Sequence, residues 1–282
     1  SDQTMSFMKP RISFIGDLTV DVYPQNHKRY LGGSSLNGAM WAKQLGAKTS
    51  IMAAVGDDQS GKEYINVLTR EHINGSRVSV LPAKTSVIEI MITSDGDREY
   101  GAWDPGVMAR YHLNARDFAF LKKQDVTLLT VYGPTRHLLD ELVALGLARK
   151  KKKPLVAVDF GDLVQLGKDI RVVESSLGGI DVVFFGLDKD SDERLINDVQ
   201  QLAASAQKLF VVTLGQYGSV AFDGGKIVVQ APQTVSVKDT TGAGDAFIGG
   251  FLVSYLQTHN IQQSLQQGTT LASRAIQKMG AY

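Results

Sequence analysis

Short apolar runs alternate with longer amphipathic stretches along most of this chain. Arg11-Ile-Ser-Phe-Ile-Gly16 reads as a buried strand ending in glycine. Thr49-Ser-Ile-Met-Ala-Ala-Val-Gly56, Val126-Thr-Leu-Leu-Thr-Val-Tyr132, Leu155-Val-Ala-Val-Asp-Phe160, Val182-Val-Phe-Phe185 and Leu209-Phe-Val-Val-Thr-Leu-Gly215 have the same character. Nearly continuous apolar runs of strand length suit parallel strands covered on both faces. Between them, helical patterns are expected from Ser34 to Gly46, from Asp58 to about Arg70, over 115–121, over 138–149, from Ala246 to Leu256, and from Ile261 to Lys278. Ser34 or Ser35 is the expected cap of the first of these, with Leu36, Ala39, Met40 and Leu45 on its apolar face and Gly46 ending it. The alternation predicts an α/β fold with a mostly parallel central sheet and helices on both faces. One segment breaks the order: Val87-Ile-Glu-Ile-Met-Ile-Thr93 and Arg98-Glu-Tyr-Gly-Ala-Trp103 flank the turn signal Asp95-Gly-Asp97. This hairpin predicts a small β lid, with its other strands from the segment around residues 20–30.

At 282 residues, with no linker or shift in composition, one domain over 1–282 is expected, with lid segments near 18–32 and 85–105. The net charge of +1 gives no reason to expect nucleic-acid or membrane partners. The chain has no cysteine, which excludes disulfides, thiolate catalysis and Cys-ligated zinc and agrees with a cytoplasmic setting. No apolar run reaches the length of a membrane span. The five histidines are scattered without metal-ligand spacing.

The most informative stretch is Lys238-Asp-Thr-Thr-Gly-Ala-Gly-Asp-Ala-Phe247. Gly242, Ala243 and Gly244 let a ligand approach their N–H groups at the start of a helix, where partial positive charge favours phosphate. Asp245 follows in the first turn, placed to take a proton from an attacking hydroxyl. An ordinary capping aspartate after a glycine turn remains open on these residues alone. Asp17 and Asp21 follow the first strand, at the end of the sheet where ligands bind in parallel α/β folds. They can accept hydrogen bonds from sugar hydroxyls, or simply form turns. Gly32-Gly33 permits close backbone approach, and Asn37 offers an amide that donates and accepts. Arg98, Tyr100 and Trp103 on the hairpin are candidates to face a substrate, with cross-strand packing the simpler role for Tyr100. Asp159 stands at the end of another strand.

Gly32-Gly33 with Asn37, Val212-Thr-Leu-Gly215 followed by Gly218, and Asp239-Thr-Thr-Gly-Ala-Gly-Asp245 together resemble the PfkB (ribokinase-like) carbohydrate kinases. The motifs occur in the family's order and span most of the chain. The resemblance implies ATP- and magnesium-dependent phosphorylation of a sugar hydroxyl on a ribokinase-like α/β fold with a β lid. It assigns Asp245 as catalytic base, and Gly242, Ala243 and Gly244 as the anion hole. Asp21, Gly32, Gly33 and Asn37 match the sugar-binding set, and Thr213, Gly215 and Gly218 the nucleotide loop. Asp239 and Thr241 match positions that hold a monovalent cation such as K+ in several members. Family members often carry an Asn-x-x-Glu pair after the fifth or sixth strand that acts on magnesium through water. Here that region reads Phe185-Gly-Leu-Asp-Lys-Asp190, which leaves the magnesium ligands unassigned, with Asp188 and Asp190 as substitutes.

Within the family, Ile15-Gly-Asp17 with Val20-Asp-Val-Tyr-Pro-Gln25, Gly106-Val-Met-Ala109, and Ile276-Gln277 with Gly280-Ala281 look like fructoselysine kinases. That likeness implies phosphorylation of the terminal hydroxyl of a ketose or fructosamine. Pro105 stands where those enzymes carry an acid, beside Asp104. The alternatives are a nucleoside or other small-sugar kinase of the same fold, or a non-catalytic sugar- or nucleotide-binding regulator. The expected partner is a small sugar, and the lid is the candidate surface for a homodimer.

Overall fold

Along the strand Val182–Gly186, consecutive side chains part between two cores: Val182 and Phe184 enter one, Val183 and Phe185 the other. Side chains alternate across a strand, so an all-apolar run needs a covered sheet on both sides. The computed structural model describes residues 9–94, 98–149 and 153–282. The expected turn at 95–97, the side chain of Arg98 and residues 150–152 lie outside the described residues.

The first half of the chain forms β1 (Arg11–Gly16), β2 (Thr19–Tyr23), β3 (Lys28–Leu31), α1 (Ser34–Gln44), β4 (Lys48–Gly56), α2 (Gln59–Arg70), β5 (Asn74–Leu81), β6 (Ser86–Ile92) and β7 (Arg98–Asp104). Next come α3 (Ala115–Leu121), β8 (Val126–Thr130), α4 (Arg136–Ala148), β9 (Leu155–Asp159), α5 (Ile170–Ser176) and β10 (Val182–Gly186). The chain finishes with α6 (Glu193–Ala206), β11 (Leu209–Thr213), β12 (Ser219–Asp223), β13 (Lys226–Gln230), α7 (Ala243–Thr258) and α8 (Ile261–Ala275). The sequence reading named no helix at α5 or α6. Yet α6 buries Leu195, Val199 and Ala203, one face at four-residue spacing.

The large sheet has the order β13-β12-β11-β10-β9-β8-β1-β4-β5. β11 through β5 in that order pair in parallel, and β12 and β13 add antiparallel at one edge. Residues of α3, α4, α5 and α6 pack in one core and those of α1, α2, α7 and α8 in the other. This is the expected ribokinase-like α/β architecture. β2, β3, β6 and β7 form a separate sheet in the order β3-β2-β6-β7, as the lid reading anticipated. From β1 the chain steps to β4 on one side and later to β8 on the other. The strand order therefore reverses between β1 and β8, and a crevice opens at their carboxyl ends.

Local chemistry sets the helix ends. Asp58 caps α2 by accepting from the Gly61 N–H at 2.8 Å, and also accepts from the Thr85 N–H at 2.8 Å. Neither Ser34 nor Ser35 caps α1: both lie inside the helix, and Gly33 holds the cap position at φ +93. The Ser34 N–H instead donates to Asp17 Oδ1 at 3.1 Å, so a carboxylate from the end of β1 satisfies the helix start. A Cβ on Gly33 would lie 2.7 Å from the Asp17 carbonyl oxygen, so this crossing requires glycine. Among the described residues no helix is long and apolar enough to cross a membrane.

Candidate active site

The crevice between β1 and β8 opens into a cavity of about 500 Å³, within the range of small-ligand sites. Asp17 comes from the end of β1, Tyr132 and Asp159 from the ends of β8 and β9, and Asp245 from the first turn of α7. The smaller sheet closes one wall with Asp21, Ile88, Ile90, Tyr100 and Trp103. Trp103 meets Tyr132 edge-to-face at 5.7 Å, joining that wall to the main sheet.

Asp245 is held from across the chain. Asn37 Nδ2 on α1 donates to Asp245 Oδ2 at 2.9 Å. The sequence reading placed Asn37 among sugar ligands; here its amide also orients the candidate base. α7 begins after Gly242 at φ +75. The Ala243 N–H turns back to the Thr240 carbonyl at 3.2 Å, and Ala243 is not among the cavity-lining residues, whereas Gly242, Gly244 and Asp245 are. The start of α7 thus borders the cavity, and the partial positive charge of a helix N-terminus favours an anion there.

Two carboxylates in the cavity are pushed toward neutrality. Burial raises Asp17 to about 6, and the charge of Asp245 adds to it. Burial raises Asp159 to about 7, with Asp245 and Asp162 adding, while a hydrogen bond from the Gly161 N–H opposes it. Such shifts mark carboxylates that are buried together, a pattern frequent at functional sites. Asp188 and Asp190, the substitutes suggested by the sequence, do not line this cavity. Asp188 accepts the N–H groups of Asp190 and Ser191, and Asp190 accepts from the Tyr217 hydroxyl. Asp159 and Asp162 line the cavity instead, and their oxygen chemistry fits magnesium. Asp162 and Tyr132 carried no motif, and only the position of Asp159 at a strand end pointed to the site.

The remaining expected residues are spread around this core. Gly33 lines the cavity, and Gly32 leaves room for the Asp21 carboxylate, whose Oδ2 would lie 2.3 Å from an added Cβ. Thr213 lines the cavity, while Gly215 and Gly218 shape the turn between β11 and β12. The Arg98 side chain is outside the described residues. Asp104 accepts the Gly106 N–H at 2.9 Å, which stiffens the exit from β7.

Asp239 is fully buried, and both of its oxygens already accept protons. Oδ1 takes the Thr241 N–H at 2.8 Å, and Oδ2 takes the Gly280 N–H at 3.0 Å and the Tyr23 hydroxyl at 3.3 Å. The same hydroxyl lies 3.3 Å from Thr241 Oγ1. A phenol thus stands between the two side chains expected to share a monovalent ion. Tyr23 belongs to β2, so the contact also ties the smaller sheet to the loop before α7.

A parallel α/β sheet with its cavity at the switch point, an aspartate in the first turn of a glycine-led helix, and a second sheet across the opening define a phosphotransferase of the ribokinase-like class. Residues 11–282 match the family described as pfkB family carbohydrate kinase, and the chain belongs to that family. Fructoselysine 6-kinase of Escherichia coli is 32% identical, covering 96% of this chain and 99% of that protein. A fructosamine kinase of Bacillus subtilis is 25% identical over 95% of this chain and 91% of its own. Among solved structures, an adenosine kinase from Sinorhizobium meliloti superposes with a TM-score of 0.83 at 21% identity, covering 97% of this chain and 96% of that one. The chain is a sugar kinase that transfers a phosphoryl group to an alcohol, with ATP implied by the family.

Proposed function

We propose that the acceptor is a fructosamine: a ketose bearing an amino-acid substituent through its amine, phosphorylated at its terminal hydroxyl. The charge of the cavity carries this reading. Asp17, Asp21, Asp159, Asp162 and Asp245 line it, and no lysine, arginine or histidine does so among the described residues. A phosphorylated sugar would meet repulsion there, and a protonated amine on the acceptor would be attracted. Trp103 and Tyr132 supply aromatic surface of the kind that favours a cation. The fructoselysine and fructosamine kinases among the relatives support the same substrate class.

In the reaction, Asp245 accepts the proton of the sugar hydroxyl as its oxygen bonds to the γ-phosphorus and the bond to the β-phosphate oxygen breaks. Asn37 holds Asp245 in place. The first-turn amides of α7 face the transferring group, and Asp17 and Asp21 position the sugar. Magnesium, held by Asp159 and Asp162, would neutralise charge on the nucleotide phosphates. The smaller sheet acts as a lid that excludes water.

An ATP-coupled assay with fructoselysine, other fructosamines, fructose, fructose 6-phosphate and adenosine tests the reading. Fructosamines should give the highest kcat/KM. Preferential turnover of adenosine or fructose 6-phosphate would refute the substrate class and leave the kinase. Binding without sugar-dependent ADP release would favour the regulator.

A further inference from the structure

Two histidines that lie far apart in sequence meet on the surface beside α4. His137 and Glu141 are one turn apart on that helix, and His112 lies in the segment that leads from β7 to α3. One ligand atom from each of the three lies within 4.8 Å of the others. The His112 and His137 rings are 4.4 Å apart at their centroids. Scattered in the sequence without ligand spacing, the two histidines are brought together only by the fold.

The hydrogen bonds prepare these side chains for a cation. His137 Nε2 lies 2.6 Å from the Tyr111 carbonyl oxygen. A carbonyl only accepts, so Nε2 carries the proton and Nδ1 keeps its lone pair. A carbonyl partner on the far nitrogen is the usual support of a metal-bound imidazole. Glu141 Oε2 accepts the Leu113 N–H at 2.8 Å, while Oε1 lies 2.7 Å from His112 Nδ1. The His112 side chain is 63% exposed, so solvent leaves it room to turn and draw the three ligand atoms together.

We propose that His112, His137 and Glu141 bind one transition-metal cation of the Zn²⁺ type. Two imidazoles and one carboxylate suit zinc, nickel or copper better than magnesium or calcium. The cation takes the place of the proton between His112 Nδ1 and Glu141 Oε1, and the neutral imidazole carries its one proton on the outward Nε2 instead. Water completes a tetrahedral shell on the exposed side. None of the three side chains lines the cavity, so the ion is not part of phosphoryl transfer. It fastens the strand exit that follows β7 to α4, the helix that follows Tyr132 of the cavity wall.

Isothermal titration of the tag-free full chain with ZnCl₂ tests the site. One ion per chain should bind, read from the stoichiometry of the isotherm. His137→Ala, His112→Ala and Glu141→Gln should each weaken binding by about tenfold or more. At about a hundredfold excess over Kd, zinc should raise the wild-type Tm by roughly 5 °C and leave the variants unmoved. MgCl₂ at the same concentration should not compete. Absence of stoichiometric binding, or equal binding by the well-folded His137→Ala and His112→Ala chains, would overturn the proposal.

Discussion

Asn37 and Asp245 stand 208 positions apart in the chain, yet Asn37 Nδ2 meets Asp245 Oδ2 at 2.9 Å. One lies in the first turns of α1 and the other in the first turn of α7, and the two helices share one core. A charge-assisted bond between two helix starts holds the carboxylate more firmly than either helix could alone. Asp245→Asn should fold, bind ATP and sugar, and lose kcat by on the order of a hundred- to ten-thousand-fold. Asn37→Leu should cost about ten- to a hundredfold in kcat, as a hydrogen bond to a charged group is worth roughly 1.5–3 kcal/mol. Near wild-type kcat in Asp245→Asn would remove it from the mechanism.

Gly242 and Gly244 should respond to alanine in opposite ways. A Cβ on Gly242 would sit 2.5 Å from the Ala281 Cβ, at a φ of +75. Gly242→Ala should therefore lose about 1–3 kcal/mol of stability, visible as a lower Tm. A Cβ on Gly244 meets nothing within 4 Å. Gly244→Ala should keep or raise Tm, because alanine favours helix. Its methyl would occupy cavity space needed by the phosphoryl group, so kcat/KM for ATP should fall on the order of a hundredfold. Unimpaired kinetics in Gly244→Ala would move the phosphate site elsewhere.

Asp159, raised to about 7 from an ordinary 3.8, makes stability depend on pH. Between these values the folded chain holds a proton that the unfolded chain has released, so stability falls as pH rises through the window. Asp159→Asn removes this penalty. Without nucleotide or magnesium, the variant should be more stable at pH 8 by on the order of 2 kcal/mol, allowing for partial exposure, and the gap should shrink toward pH 4. Thermal melts across this range check it, and a gap independent of pH would show that Asp159 is not the titrating group.

Tyr23 leads to an expectation about monovalent ions. Its hydroxyl lies 3.3 Å from both Asp239 Oδ2 and Thr241 Oγ1. Initial rates should be the same in KCl, NaCl and choline chloride at equal ionic strength, and Tm should not respond specifically to K+. Tyr23→Phe should lower stability by about 1 kcal/mol through the lost bonds. Clear activation of the wild-type chain by K+ would show that the phenol yields its place to the ion.

The sequence by itself determined the strands, most of the helices and the order of the motifs. Those features rest on local rules: alternation across a strand, as in Val182 to Phe185, and side-chain capping, as in Asp58. The loop at 239–245 was legible because its glycines and aspartate act within a single turn. The tertiary structure alone decided which distant groups meet. Strand order brings the ends of β1, β8 and β9 together, so Asp17, Tyr132 and Asp159 share one cavity. It also gave α1 its cap from Asp17 rather than from Ser34 or Ser35, drew Tyr23 against Asp239, and joined His112 to His137 and Glu141. Local periodicity carries no information about such contacts. They depend on where crossovers return the chain, and on the burial that then raises or pairs each charge.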